Sequence, residues 1–203
     1  MQAYSIISIT DTHLKQQLRQ ISGQAYVEEN AHLFVFIADL NRHHNLSDSD
    51  YSATIADSET LLTATIDATL AAQNLVLAAQ SLGLGSCYIG SLRNDTARLI
   101  ELLHLPRYTF PLFGVALGHP AEKGSPKPRL PQGEIHHQNQ YRSDLQIQNQ
   151  HLDAYDKTLA TYYEKCSSNQ RQDNWRKQMH QKLSAKPHTD VHITLKTQGF
   201  LDQ

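Results

Sequence analysis

The sequence predicts a soluble domain of mixed α/β type, and three observations carry that reading. His32 to Leu40 (HLFVFIADL) and Phe110 to Leu117 (FPLFGVAL) are near-continuous apolar runs of strand length, the mark of strands covered on both faces. Glu59 to Leu82 keeps helical spacing over many turns and stops at Gly83-Leu84-Gly85. The 203 residues suffice for one cored domain, and 18 Lys and Arg against 20 Asp and Glu leave no basic excess for nucleic acid. Two cysteines exclude a disulfide framework and fit a reducing, cytoplasmic compartment.

Along the chain, Tyr4 to Ile9 reads as a β-rich strand, and MQAYSIISIT has neither the basic nor the apolar region of a signal peptide. Asp11 to Ile21 places Leu14, Leu18 and Ile21 on one helical face, with Asp11 or Thr12 as N-cap and Gly23 past the end. Asn41 to Asp57 is polar and reads as a loop. The long helix that follows is apolar almost all round, so it is expected to be central. Asp67, Gln73 and Asn74 interrupt it short of a membrane span. Ser86 to Gly90 reads as a short strand and Asn94 to His104 as an amphipathic helix ended before Pro106.

After Pro120 the composition changes to a Pro/Lys/Arg loop and then a Gln-, Asn- and His-rich tract. Helices are expected over Leu152 to Lys165 and around Asp173 to Leu183. Residues 1–120 are therefore read as the core, and 121–203 as an excursion packed on that core or on a partner chain.

Two segments could carry chemistry. GLGSCYIG (Gly83 to Gly90) is either a helix C-cap and turn or a place where backbone N–H groups approach a planar ligand; it is not G-x-G-x-x-G. SPKPRLP (Ser125 to Pro131) is either a solvated loop or a proline-stiffened segment whose Lys127 and Arg129 point the same way and meet a phosphate. In SSNQRQDNW, Arg171 could hold a phosphate and Trp175 a lid or subunit contact, or the stretch could simply connect two helices. Twelve histidines include two adjacent pairs but no metal-ligand spacing, so no metal site is expected. Neither a base partner for Cys87 or Cys166 nor a nucleophile elbow is present.

QAYSIISITD, ISGQAYVEENAHLFVFIADLNRH, AAQNLVLAAQSLGLGSCYIGSLRND, FPLFGVALGHP, KPRLP and YYEKCSSNQRQDNW, in this order, together resemble the NADPH-dependent nitroreductase/flavin reductase family, oxygen-insensitive group A. The resemblance implies an α+β fold: a mostly antiparallel sheet flanked by helices, with a helical C-terminal excursion, in an intertwined homodimer that binds FMN at the interface. It implies that Gln24 contacts the flavin ring, that Tyr88, Ile89, Gly90 and Ser91 line it, and that Lys127 and Arg129 neutralise the phosphate. Arg171 would take the NADPH 2′-phosphate. The implied reaction is ping-pong: hydride passes from NADPH, or NADH, to FMN, and the electrons go on to a nitroaromatic, a quinone or free flavin.

Three departures accompany the resemblance. The family's N-terminal His-Arg-Ser phosphate-binding segment has no counterpart here, which allows an alternative: a truncated, catalytically impaired member that binds flavin or dimerises. Ser91 stands where the family often has Gly. Cys166 occupies the position of a second NADPH-binding arginine.

Overall fold

The computed structural model describes residues 1–46, 50–121, 124–166, 171, 173–185, 188 and 190–201. Two compact units divide the chain: Met1–Ala121 with His188–Gln203, and Glu122–Pro187. The final helix thus belongs with the first unit, whereas the sequence reading grouped it with 121–203.

The first unit opens with β1 (Tyr4–Ile9) and α1 (Thr12–Ser22), whose N-cap Asp11 accepts from the Leu14 N–H at 2.6 Å and whose C-cap is Gly23 at φ 67°. The single turn α2 (Tyr26–Glu29) leads into β2 (His32–Asp39). Two further turns, α3 (Asn41–His44) and α4 (Ser52–Ile55), lie within the stretch expected to be loop; residues 47–49 of it fall outside the described residues. Then come α5 (Ser58–Ser81), β3 (Gly85–Ile89), a 3₁₀ segment (Gly90–Asp95), α6 (Thr96–Leu102) and β4 (Thr109–Gly118). The four strands form one antiparallel sheet in the order β1-β2-β4-β3.

Period-2 alternation sorts β2 between two layers. Leu33, Val35 and Ile37 join Leu18, Ile21, Val27, Leu92 and Leu99, the layer of α1, α2, the 3₁₀ segment and α6. Phe36 packs with Ala72, Val76 and Ala79 of α5, and Ala38 with Ala64 and Ala68. Small residues repeating along one stripe let α5 lie close to the sheet.

The expectation that α5 is central is corrected here. Its inward stripe is buried, yet Leu62, Ile66, Leu70 and Leu77 are 54%, 49%, 60% and 54% exposed. The all-round apolar pattern reflects two different faces, one of which is left exposed among the described residues. By length and mean hydropathy of 1.3, Ser58–Ser81 also passes the test for a membrane-spanning helix that its polar residues were expected to fail. One of those residues, Asp67, instead accepts the Ala3 N–H at 3.0 Å and fastens the helix beside β1.

A register shift between Phe36 and Ile37 leaves Leu112 as an extra residue in β4, next to Pro111, which has no N–H for the ladder. The freed Leu112 carbonyl accepts from the Arg93 guanidinium, tying the 3₁₀ segment to the sheet. Gly114 makes the same approach possible: a Cβ there would lie 2.8 Å from Leu92 Cδ1.

In the second unit, α7 (Gln132–Ile135) precedes α8 (Leu145–Glu164) and α9 (Trp175–Ser184). α8 begins earlier than the expected Leu152, because Asp144 caps it by accepting from the Gln146 and Ile147 N–H groups. Tyr155, Leu159 and Tyr163 bury against Leu130 and Trp175 as a small core. The chain closes in the first unit with α10 (Val191–Thr197), not anticipated from sequence, whose Leu195 joins Phe200 in the α5 layer. From the preceding turn, the Asp190 carboxylate accepts the Thr96 N–H at 2.9 Å and the His188 ring bonds the Arg93 carbonyl oxygen at 2.8 Å.

Candidate functional site

The sequence-predicted residues fall into two groups, one in each compact unit. In the first unit, β3 is an edge strand and delivers Tyr88, Ile89, Gly90 and Ser91 at the point where strand passes into 3₁₀ turn. Tyr88 is 45% exposed; its hydroxyl donates to Gln73 Oε1 at 3.2 Å, and its ring meets Phe113 edge-on at 5.6 Å. Partial burial pushes the Tyr88 phenol up from its ordinary value. Ile89 as a whole is 1% exposed and belongs to the core, so neither its side chain nor its backbone is open to solvent. Ser91 is half-buried. Ile89, at the N-cap, provides no side-chain hydrogen bond to the turn. An added Cβ on Gly90 would meet only Arg93 Nη2, at 3.6 Å.

Gln24 is exposed in the turn between α1 and α2, where its N–H donates to Ser22 Oγ at 3.1 Å. Two contacts carry this turn toward the glycine segment. The Tyr26 phenol lies against the Cys87 thiol, and burial followed by that neighbour pushes the phenol up. Asn94 Nδ2 donates to the Ile21 carbonyl at 3.3 Å. Tyr26, Gln73 and Asn94 were not singled out from sequence, since each works through a partner distant in the chain. A shallow open groove of about 500 Å³ lies nearby, lined by Gln16, Arg19, Gln20, Gly23 and Glu28. Its Arg19 is already paired with Glu28 at 2.7 Å.

In the second unit Lys127 and Arg129 are exposed, and neither forms an ion pair among the described residues. Arg129 Nη1 donates to the Lys127 carbonyl at 3.0 Å, so its guanidinium folds back along the segment. Lys127 Nζ stands 5.4 Å from the Tyr163 ring centroid, and Arg171 Cζ stands 5.9 Å from the same centroid. Arg171 itself is exposed; Ser167 to Gln170 and Gln172, also within the singled-out SSNQRQDNW, lie outside the described residues. No group of three or more His, Cys, Asp or Glu side chains with metal-holding geometry occurs among the described residues.

Taken unit by unit, each donor group has the chemistry of one part of a flavin mononucleotide: turn amides match the acceptor edge of a flavin ring, and cations with no carboxylate partner among the described residues match a phosphate.

An antiparallel sheet layered by helices on both faces, together with a smaller helical unit, defines an α+β protein. The chain belongs to the nitroreductase family: the "Nitroreductase family" description matches residues 1–119, and "Nitroreductase family, C-terminal domain" matches 127–203. It is 46% identical over 206 residues to the NADPH-dependent oxidoreductase of Staphylococcus saprophyticus, covering 99% of this chain and 82% of that protein. The NfrA1 nitroreductase of B. subtilis superposes with a TM-score of 0.95 at 40% identity, covering 100% of this chain and 84% of that one. The NADPH:FMN oxidoreductase of Vibrio harveyi, complexed with NAD+, superposes with a TM-score of 0.87 at 36% identity over 100% of this chain and 82% of that one. The protein is accordingly an oxidoreductase, with the antiparallel, helix-flanked fold that the resemblance implied.

Proposed function

We propose that this oxidoreductase holds FMN and passes electrons from NADPH or NADH to nitroaromatics, quinones or free flavin. The observation that carries the reading is the pair of cations, Lys127 and Arg129, with no carboxylate partner among the described residues, on a segment braced by tyrosines of α8. The names of the relatives support the two cofactors: NADPH in the Staphylococcus proteins, NADPH and FMN in the Vibrio enzyme.

When bound, FMN supplies two-electron chemistry that no side chain of this protein can perform. The chain's own part is positional and electrostatic. Lys127 and Arg129 would hold the phosphate, Arg as a fork and Lys as a point charge. The N–H groups of Gly90 and Ser91 would donate to the ring edge, and the Tyr88 ring and the Gln24 amide would border it. Amides and cations arranged in advance favour the electron-rich form of the ligand without reorganising. Arg171 would meet the dinucleotide phosphate.

A homodimer follows from the uncovered face of α5. Four large apolar side chains at helical spacing suit a second copy of the same helix. Two unpaired cysteines suit a cytoplasmic setting. Purified protein is expected to carry flavin absorbance, or to gain it on adding FMN, and to oxidise NADPH in the presence of a quinone. Colourless protein that takes up no added FMN overturns the reading. Ile66→Glu combined with Leu70→Glu is expected to yield monomers in sedimentation; an unchanged wild-type dimer would place the interface elsewhere.

A further inference from the structure

α8 presents three tyrosines to the segment that carries the cations. The Tyr155 hydroxyl donates to the Pro128 carbonyl at 3.2 Å, and the Tyr162 hydroxyl donates to the Ser125 carbonyl at 3.3 Å. These bonds join residues 27 and 37 positions apart, so the segment takes its shape from the helix as well as from its prolines.

Tyr163 follows on the same helix and is 6% exposed. Two cations from different segments meet on it: Lys127 Nζ at 5.4 Å and Arg171 Cζ at 5.9 Å from the ring centroid. Lys127, and after it Arg171 and Gln178, bear on its phenol. The Lys127 ammonium, first by hydrogen bonding and then by charge, holds the phenol below its ordinary value although burial pushes the other way. Filling the small core would require only an apolar side chain of similar volume. Bringing two like charges to one ring requires more: an electron-rich face and an acceptor oxygen that offset their repulsion.

We propose that Tyr163 is a positioning residue that holds Lys127 and Arg171 on one ring, so that a single side chain sets both the flavin-phosphate and the dinucleotide-phosphate cation. The inference rests on the FMN and NADPH reading above and deepens it. Tyr163 acts through the two cations and touches neither ligand. Its loss therefore weakens both ligands together, and it weakens NADPH more than NADH, which has no 2′-phosphate for Arg171 to meet.

The test uses the full chain with Tyr163→Leu and Tyr163→Phe. FMN dissociation is read by quenching of flavin fluorescence, and KM and kcat are read for NADPH and for NADH. Tyr163→Leu is expected to raise the FMN Kd and the NADPH KM by roughly threefold to thirtyfold each, with the NADH KM moving by less than about twofold. Tyr163→Phe keeps the ring and is expected to recover about half of each loss on a logarithmic scale. A folded Tyr163→Leu protein that binds FMN and NADPH like the wild type overturns the proposal, and so does an equal rise in KM for both dinucleotides. Should the Leu variant fail to fold, the Phe variant decides: an NADPH-to-NADH KM ratio unchanged from wild type overturns the proposal. Wild-type protein that takes up no FMN overturns the underlying cofactor reading, and this inference with it.

Discussion

Ile89 and Leu92, which flank the Gly90 turn, are 1% and 0% exposed, whereas every residue from Gly124 to Lys127 is exposed. The turn is anchored by apolar burial and by the Arg93 contact with the Leu112 carbonyl. The cationic segment hangs on phenol hydroxyls from one helix over a three-residue core. Positioning backbone amides requires a rigid frame, because the whole chain path must be fixed. Positioning long cations requires only that their stems start in the right place, and full burial would desolvate the charge the ligand needs.

The largest expected effect tests the rigid half. Leu92→Ala should lower stability by about 2–5 kcal/mol in denaturant melts and weaken flavin uptake as the turn loosens. If stability falls and flavin affinity does not, the turn is not part of the ligand site. Next comes the polar half: Lys127→Ala or Arg129→Ala should raise the FMN Kd roughly tenfold to a hundredfold each, with the melting temperature unmoved. The difference from wild type should narrow as salt is added. Parallel losses of stability would break the contrast between the halves.

Acid offers a third, smaller probe. The Ala3 N–H, ahead of nearby positive charge, holds the Asp67 carboxyl below its ordinary value. A depressed folded pKa adds stability that is present above the unfolded carboxylate value and disappears as pH falls through the folded one. The melting-temperature gap between wild type and Asp67→Asn should therefore be full at neutral pH and close below about pH 4. A gap that widens in acid would show that the carboxylate does not act this way. The smallest effect belongs to Tyr155→Phe, which removes one hydroxyl brace and should weaken FMN only a few-fold, about 1 kcal/mol or less. That change is checked by fluorescence quenching.

Much of the scaffold was legible because it obeys local rules. β1 and β2 alternate or run apolar as strands do, and Asp11, Asp57 and Gly23 punctuate their helices. The apolar pattern of α8 starts later than the helix does because Gln146, Gln148, Asn149 and Gln150 dilute its first turns, although Asp144 has the chemistry of a cap. α10 leaves little mark in the sequence, since VHITLKT has little apolar periodicity; docking of Leu195 supplies what the pattern lacks. For α5, periodicity showed how much was apolar and could not show which face the chain itself would cover. Of the candidate site, the glycine turn and the two cations stand out in sequence. Their supports do not, since Tyr155 to Pro128 and Tyr26 to Cys87 are unions between segments far apart in the chain.

The supernumerary Leu112 in β4 has an evolutionary corollary. Removing it would bring the neighbouring strands into step, with Pro111 and Phe113 keeping the faces on which they already pair with Ile37 and Phe36. The same event would withdraw the acceptor that Arg93 uses. Single-codon deletions at this point should therefore be far less tolerated in a selection library than deletions in the Asn41–Asp57 connection, and that asymmetry would mark the irregularity as an inherited requirement of the architecture.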